Sequence, residues 1–212
     1  MKKNRPAKKY LIIMASGTGT LFSSVVRSCD SGVLKDKAKV ISLVSDNDNA
    51  LVIKKARDNN IPVKIINPKK FPSFEEWDKA LLSYLQKKSP LQNKSPDLIL
   101  LAGFVKKIGP RVLSSFEKKI LNIHPSLLPR HGGSGMYGLH VHRSVLKAGD
   151  KKTGISIHWV SAKYDEGPLV AQKEIPISLG ETAESLQQKV KKAEQKFYID
   201  VLYKVLIEKE KQ

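Results

Sequence analysis

The stretch YLIIMASGTGTLFSSVVRSC, residues 10 to 29, changes character halfway along. YLIIMA (10–15) is an unbroken apolar run, as a parallel strand buried on both faces requires. SGTGT (16–20) interrupts it with two glycines, a tight turn. LFSSVVRSC then sets Leu21, Phe22, Val25, Val26 and Cys29 on one helical face. Strand, turn and helix make the first half of a βαβ unit, and the pattern repeats. KVISLVS (39–45) reads as a strand, ALVIKKARDNN (50–60) as a helix and IPVKII (61–66) as a strand. Ser73 with Glu76 three residues on forms a capping-box pair that opens the helix FEEWDKALLSYLQKK (74–88). DLILLAG (97–103) is another fully buried strand, PRVLSSFE (110–117) a short helix and ILNIH (120–124) a short strand.

This alternation predicts an α/β fold with a doubly wound, mostly parallel open sheet. The pattern then changes. VHRSVLKAG (141–149) is helical. TGISIHWVS (153–161) and LVAQKEIPI (169–177) are strands whose connection is short enough for an antiparallel pair. From Thr182 one long helix sets Leu186, Val190, Ala193, Phe197, Val201 and Val205 along one face. An antiparallel C-terminal edge and a long C-terminal helix are therefore expected.

The 212 residues fit one domain over 10–212, preceded by a basic mobile tail, residues 1–9. Hydrophobic residues make up 41 %, too many for a disordered chain. Cys29 is the single cysteine, which excludes an intramolecular disulfide and fits a reducing compartment. The apolar run after the basic start is too short for a secretory segment or a membrane span, so a cytoplasmic protein is expected, without a membrane partner. Lys and Arg number 38 against 20 Asp and Glu, a net charge of +18. That charge attracts anions such as phosphorylated metabolites, polyglutamate tails or RNA. The lysines are spread in pairs without interleaved aromatics, however, so a solvated basic surface is the plainer account and a nucleic-acid partner is not expected.

In an open parallel sheet, ligands bind outside the carboxyl ends of the strands. SGTGT, AGFVKKI (102–108) and NIHPS (122–126) all fall there, so distant segments converge on one cleft. Gly17 and Gly19 would let the backbone approach a phosphate, and the next helix offers free N–H groups. The turn lacks both the dinucleotide fingerprint and the P-loop lysine, so an ordinary strand-to-helix turn fits it equally. Asn122 and His124 are two apart in a strand and face one way. A histidine can shuttle a proton, and an asparagine amide can stabilise a developing oxyanion. Asp165, in the loop KYDEGP, would hold the His124 tautomer and favour its protonated form. Turn aspartates are common, so spacing alone does not assign it. His131, His140 and His142 lie near, but no zinc spacing appears and no metal is expected.

LAGFVKKIGP, LNIHPSLLP, GLHVH and YDEGPLV together resemble the formyltetrahydrofolate-dependent formyltransferase family, from about Tyr10 into the C-terminal helix. GLHVH and the chain size resemble the branch that formylates glycinamide ribonucleotide in purine synthesis. The resemblance implies 10-formyltetrahydrofolate as the donor co-substrate and a phosphorylated small-molecule acceptor; a monomer or weak homodimer is expected as the assembly. It implies catalytic roles for Asn122, His124 and Asp165. It implies that Gly17, Thr18, Gly19, Thr20 and Leu21 hold the ribonucleotide phosphate and that Glu194 contacts the region of the substrate amine. Val105, Lys106, Lys107 and Ile108, with Asn122, would line the folate pocket.

The chain departs from the family in three places. Thr20-Leu21 stands where Ser-Asn is frequent. Phe74 stands where some members carry an arginine. The loop RHGGSGMYG (130–138) is longer than the usual form, and is either a flap over the substrate or a surface insertion.

Two other functions compete. A tRNA formyltransferase shares HPSLLP and suits the positive charge, but needs an RNA-binding domain for which the chain has no room. A non-catalytic basic binding protein would not need Asn122, His124 and Asp165 together.

Overall fold

The computed structural model describes residues 7–87 and 95–208. Strand β1 (Lys9–Met14) lies inside a seven-stranded sheet, with β2 (Ala38–Ser45) on one side and β4 (Leu98–Leu101) on the other. β3 (Val63–Ile65) forms one edge beyond β2. β5 (Ile120–His124), β6 (Lys152–Trp159) and β7 (Leu169–Pro176) extend the sheet past β4, giving the order β3-β2-β1-β4-β5-β6-β7. All pairs from β3 through β5 are parallel, and β5–β6 and β6–β7 are antiparallel. The doubly wound sheet with an antiparallel C-terminal edge is thus as the sequence predicts.

The unbroken apolar strands are explained by helices on both faces. Leu11, Ile13, Leu98, Leu100, Leu121 and Ile123 point into one core. It is covered by α1 (Thr20–Ser31), α2 (Leu51–Asp58), α5 (Leu139–Lys147) and α6 (Ala183–Glu208). Ile12, Met14, Ile99, Leu101 and Ile120 point into the other, under α3 (Phe74–Lys87) and α4 (Pro110–Ser115). Leu21, Phe22, Val25, Val26 and Cys29 are all buried, as their spacing predicts. The α6 face is wider than expected. Leu186, Val190, Val201 and Val205 are joined by buried Tyr198, Leu202 and Leu206, while Ala193 and Phe197 stay partly covered.

Local chemistry sets the boundaries. Ser73 Oγ accepts the Glu76 N–H at 3.2 Å, the N-cap half of the expected capping box. Thr182 Oγ1 accepts the Ser185 N–H at 3.2 Å and starts α6 where the sequence places it. β3 is shorter than IPVKII, because it is an edge strand paired only with β2 and Pro62 has no N–H to donate. Asn67 then caps a 3-10 turn, Pro68–Lys70, that the sequence reading did not anticipate; its Oδ1 accepts the Lys69 N–H at 3.0 Å. Residues 1–6 of the expected tail lie outside the described residues. Lys9 opens β1 and forms an ion pair with Asp97 at 3.5 Å.

Gly19 shows why the first turn needs glycine. Its φ is 71°, and an added Cβ would stand 2.5 Å from Val52 Cγ2. The turn is also tied to α2, since the Val52 N–H donates to the Gly17 carbonyl at 3.1 Å. Gly19→Ala therefore combines left-handed strain with overpacking, together ~2–3 kcal/mol. We expect the melting temperature to fall by roughly 5–10 °C in calorimetry.

Candidate active site

The strand order reverses direction between β1 and β4, and the crevice at their carboxyl ends is where an open sheet binds ligands. A cleft of about 800 Å³ opens there. The turn Ser16–Leu21 forms one wall, and Leu101–Ile108 after β4 forms another. Asn122 and His124 from β5, Gly133–Gly138, Val160–Asp165 and part of α6 complete it. The residues expected to bind or to catalyse all border this cleft: Gly17 to Leu21, Val105 to Ile108, Asn122, His124, Asp165 and Glu194.

The two ends of the cleft differ. At the glycine turn, α1 begins with no acidic residue in its first turn, so its free N–H groups and positive dipole end are not neutralised. A Cβ placed on Gly17 would meet nothing within 4 Å, which leaves the backbone open to a ligand. Leu21 is a partial correction: its side chain is buried in the core, so only its backbone is suited to an anion. Elsewhere the lining is apolar, where Phe104, Ile108 and Val160 belong to one hydrophobic cluster. Such a wall suits a flat heteroaromatic ring, with exposed backbone to fix its edge. Lys106, Lys107, Lys163 and Lys191 border the cleft against Asp165 and Glu194, so its mouth favours anionic ligands.

At the centre, four side chains meet. Asn122 and His124 point to the same side of β5, the side of Ile120. His124 is 3 % exposed. Its Nε2 lies 2.8 Å from the His131 carbonyl, so that nitrogen carries the proton and donates. Its Nδ1 lies 3.4 Å from Asp165 Oδ2. The Asn122 amide donates to Asp165 Oδ1 at 3.3 Å. It also approaches His158 Nε2 at 3.1 Å.

His158 was not singled out from the sequence. It sits on β6 directly opposite Asn122 in the antiparallel register. Its Nδ1 faces the Trp159 carbonyl at 3.0 Å, which places a proton there, and its Nε2 also lies 3.5 Å from Asp165 Oδ1. The available signal was a histidine on a strand pairing with the strand of Asn122, and it required the register to be known.

Asp165 ties the site together. It adopts φ 55°, a left-handed conformation uncommon outside glycine. Its Oδ2 accepts the Gly133 N–H at 2.9 Å. Loop 130–138 is therefore a wall of the cleft fastened to Asp165. Phe74, the other departure, lies away from the cleft; it is half exposed and packs on Trp77 at 5.5 Å between ring centroids.

The charge states follow from these contacts. Burial raises the Asp165 carboxyl, but the rings of His158 and His124 and the Gly133 N–H outweigh it and hold it below its ordinary value. Burial lowers His124; Asp165 and the His131 carbonyl oppose the effect without cancelling it. The expectation that Asp165 keeps His124 charged is thus corrected. The carboxylate pulls in that direction, but desolvation prevails. Glu194, half-buried on α6, is pushed up to about 7 by burial, against the pull of Lys191. Cys29 lies in the core with its thiol pushed up to about 12, so it offers no thiolate nucleophile. Among the described residues, no three His, Cys, Asp or Glu side chains are grouped to hold a metal ion.

This open α/β sheet, with an Asn–His–Asp group bordering the crevice at its carboxyl ends, defines a class. The chain belongs to the formyl transferase family, whose sequence pattern matches residues 9–202. One relative is the chloroplastic phosphoribosylglycinamide formyltransferase of Arabidopsis thaliana. It is 34 % identical over 199 residues, which covers 94 % of this chain and 66 % of the relative. The phosphoribosylglycinamide formyltransferase of Escherichia coli K12 is 29 % identical over 188 residues, covering 89 % of this chain and 82 % of that protein. The crystal structure of the Bacillus halodurans phosphoribosylglycinamide formyltransferase matches with a TM-score of 0.84 at 34 % identity, covering 93 % of this chain and 95 % of that one. The chain thus spans 66 % of the length of the Arabidopsis relative, and 60 % of that of the chloroplastic phosphoribosylglycinamide formyltransferase of Vigna unguiculata, to which it is 35 % identical over 195 residues.

His142, on α5, borders the cleft while 1 % exposed, and its Nδ1 has no partner. Burial pushes it down to about 4, from 6.5. Its contribution to stability is present above pH 6.5 and is lost as the pH falls toward 4, because the unfolded chain takes up the proton first. At pH 5 that loss is about 2 kcal/mol. Glu194 acts in the opposite sense, so the diagnostic is the difference between proteins. His142→Leu should gain about 2 kcal/mol over the wild type between pH 7 and pH 5 in urea unfolding. A pH-independent difference would mean His142 is not held neutral.

Proposed function

We propose that the cleft transfers a formyl group from 10-formyltetrahydrofolate to the amine of glycinamide ribonucleotide. The observation that carries this reading is the meeting of Asn122, His124 and Asp165 between an anion-suited turn and an apolar wall. In this reading the ribonucleotide phosphate rests on the Gly17–Leu21 turn, and the folate lies along Val105–Ile108 and Asn122. Both are small molecules, and no described helix is long and apolar enough to cross a membrane. A cytoplasmic location is proposed with it.

The bound folate supplies the formyl carbon as electrophile. The acceptor amine must be neutral to attack, and Glu194, titrating near neutrality, is placed to hold the ammonium and accept hydrogen bonds from the amine. As the new C–N bond forms, the carbonyl electrons move to oxygen. The Asn122 amide stabilises that charge, and His124 Nδ1, bare in the free protein, takes the proton that the amine loses and adds its positive charge to the stabilisation. For Asn122 to do so it must release one hydrogen from its ligand-free partners, and the 3.3 Å contact to Asp165 is the longer. The developing negative charge raises the proton affinity of His124, and Asp165 holds the imidazolium. The bond to the folate nitrogen then breaks, and that nitrogen receives the proton that the amine loses, through His124 or water.

The test supplies 10-formyltetrahydrofolate with glycinamide ribonucleotide, aminoacylated initiator tRNA or no acceptor, and follows folate absorbance. Turnover with the ribonucleotide is expected; preferential formylation of tRNA would overturn the reading. His124→Ala and Asp165→Asn should each slow turnover by roughly 10²–10⁴-fold. Their losses should not multiply, because the two act as one unit. Asp165→Asn should also move the histidine limb of the pH–rate profile to lower pH, since it removes the one carboxylate that raises His124. An unmoved limb with fully additive losses would show that they are not paired.

Glu194→Gln should raise KM for the ribonucleotide by about tenfold, near 1.4 kcal/mol of binding, with a smaller change in kcat. An unchanged KM with lowered stability would make Glu194 structural.

A further inference from the structure

We propose that His131 is a positioning residue for His124: its side chain is clamped so that its backbone carbonyl selects the tautomer of the His124 ring. His131 belongs to the loop after β5, and its ring is held at both nitrogens. Nδ1 lies 2.9 Å from Ser144 Oγ on α5, and Nε2 lies 2.8 Å from Asp150 Oδ2 just beyond α5. The other Asp150 oxygen takes Arg130 at 2.7 Å. The hydrogen bond from His131 comes first among the causes that hold the Asp150 carboxyl below its ordinary range. Asp150 is therefore ionised and only accepts, so the His131 Nε2 carries a proton.

That clamp fixes the backbone as well as the ring. His131 has φ 56°, a conformation that costs a non-glycine residue energy and persists only where its surroundings impose it. The same residue presents its carbonyl to His124 Nε2 at 2.8 Å. A carbonyl only accepts, so it keeps a proton on Nε2 and leaves Nδ1 as the atom that exchanges one. Nδ1 is the nitrogen that faces Asp165. Without the carbonyl, a neutral His124 would favour the other tautomer, donating from Nδ1 to the carboxylate and burying a bare Nε2. The charged and titratable groups around His131 are Asp150, Arg130 through Asp150, His124 and, behind His124, Asp165.

Two consequences separate this role from ordinary packing. The first is the tautomer, which does not depend on any substrate. Long-range ¹⁵N–¹H NMR of the imidazoles should show His124 as the Nε2–H form in the wild type. Asp150→Ala and His131→Phe should convert it to a mixture. The second rests on the formyl-transfer reading. Both variants should lower kcat by about 10–100-fold, the scale of a ~1 Å misplacement, with KM for both substrates within about twofold. The histidine limb should shift to lower pH, because the carbonyl raises His124. In a His124→Ala background, Asp150→Ala should cost nothing further. Ser144→Ala, which removes one clamp only, should give the same changes in smaller measure and serves if His131→Phe does not fold. A His124 tautomer unchanged in folded Asp150→Ala and Ser144→Ala would overturn the proposal, as would equal losses of kcat with and without His124. A wild type that shows the Nε2–H form but transfers no formyl group would sink the functional reading and leave the clamp standing.

Discussion

The carboxylate of Asp165 is the point on which the site depends. It is 10 % exposed, on a residue held at a left-handed φ, and it is surrounded by partners from three other segments. Asn122 and His124 approach from β5, His158 from β6 and the Gly133 N–H from the loop after β5. A carboxylate taken out of water costs several kcal/mol unless its oxygens are satisfied. Here those partners more than offset the cost, since the group sits below its ordinary pKa. The same contacts that keep Asp165 charged therefore fix the loop, orient the histidine and tie the parallel to the antiparallel part of the sheet.

The sheet explains why these partners can meet. Parallel pairing from β3 to β5 sends every carboxyl end to one side, and the reversal of order at β1 and β4 opens a crevice there. β6 then runs antiparallel, which brings His158 beside Asn122 and returns the chain so that its following loop delivers Asp165. That loop starts at the amino end of β5, where the Val160 N–H donates to the Ile120 carbonyl at 2.9 Å, and folds back over the face of Asn122 and His124. The register of the antiparallel edge thus decides that His158 is the β6 residue beside Asn122.

Much of this was legible in the sequence because burial on both faces leaves a plain mark. Strands such as YLIIMA and DLILLAG have no polar face, and only helices on both sides account for them. Asn122 and His124 were legible as a pair because strand geometry puts alternate residues on one face. Asp165 entered through family resemblance, since a turn aspartate carries no signal of its own. His158 was missed because its meaning lies in register with a strand more than thirty residues earlier, which no local pattern encodes. The charge of His124 was misjudged for a related reason. Its partner could be named from the sequence, but the depth of burial that outweighs the partner depends on the packing of the whole cleft.

That burial gives the site its direction. Three of the ionisable groups that border the cleft are moved differently by their surroundings: Asp165 down, His124 down and Glu194 up to about 7. At neutral pH the free protein therefore holds a charged carboxylate against a neutral imidazole, with a glutamate poised between its two states. An arrangement that already held the imidazolium would bind an anion in the ground state and gain less when charge develops. Here the histidine lacks only a reason to take the proton, and negative charge appearing on a neighbouring oxygen provides it. Asp165 cannot supply that reason alone, because burial prevails over it, yet it lowers the cost once the charge appears. The stabilisation is thereby concentrated at the step where charge moves, which is where it accelerates a reaction.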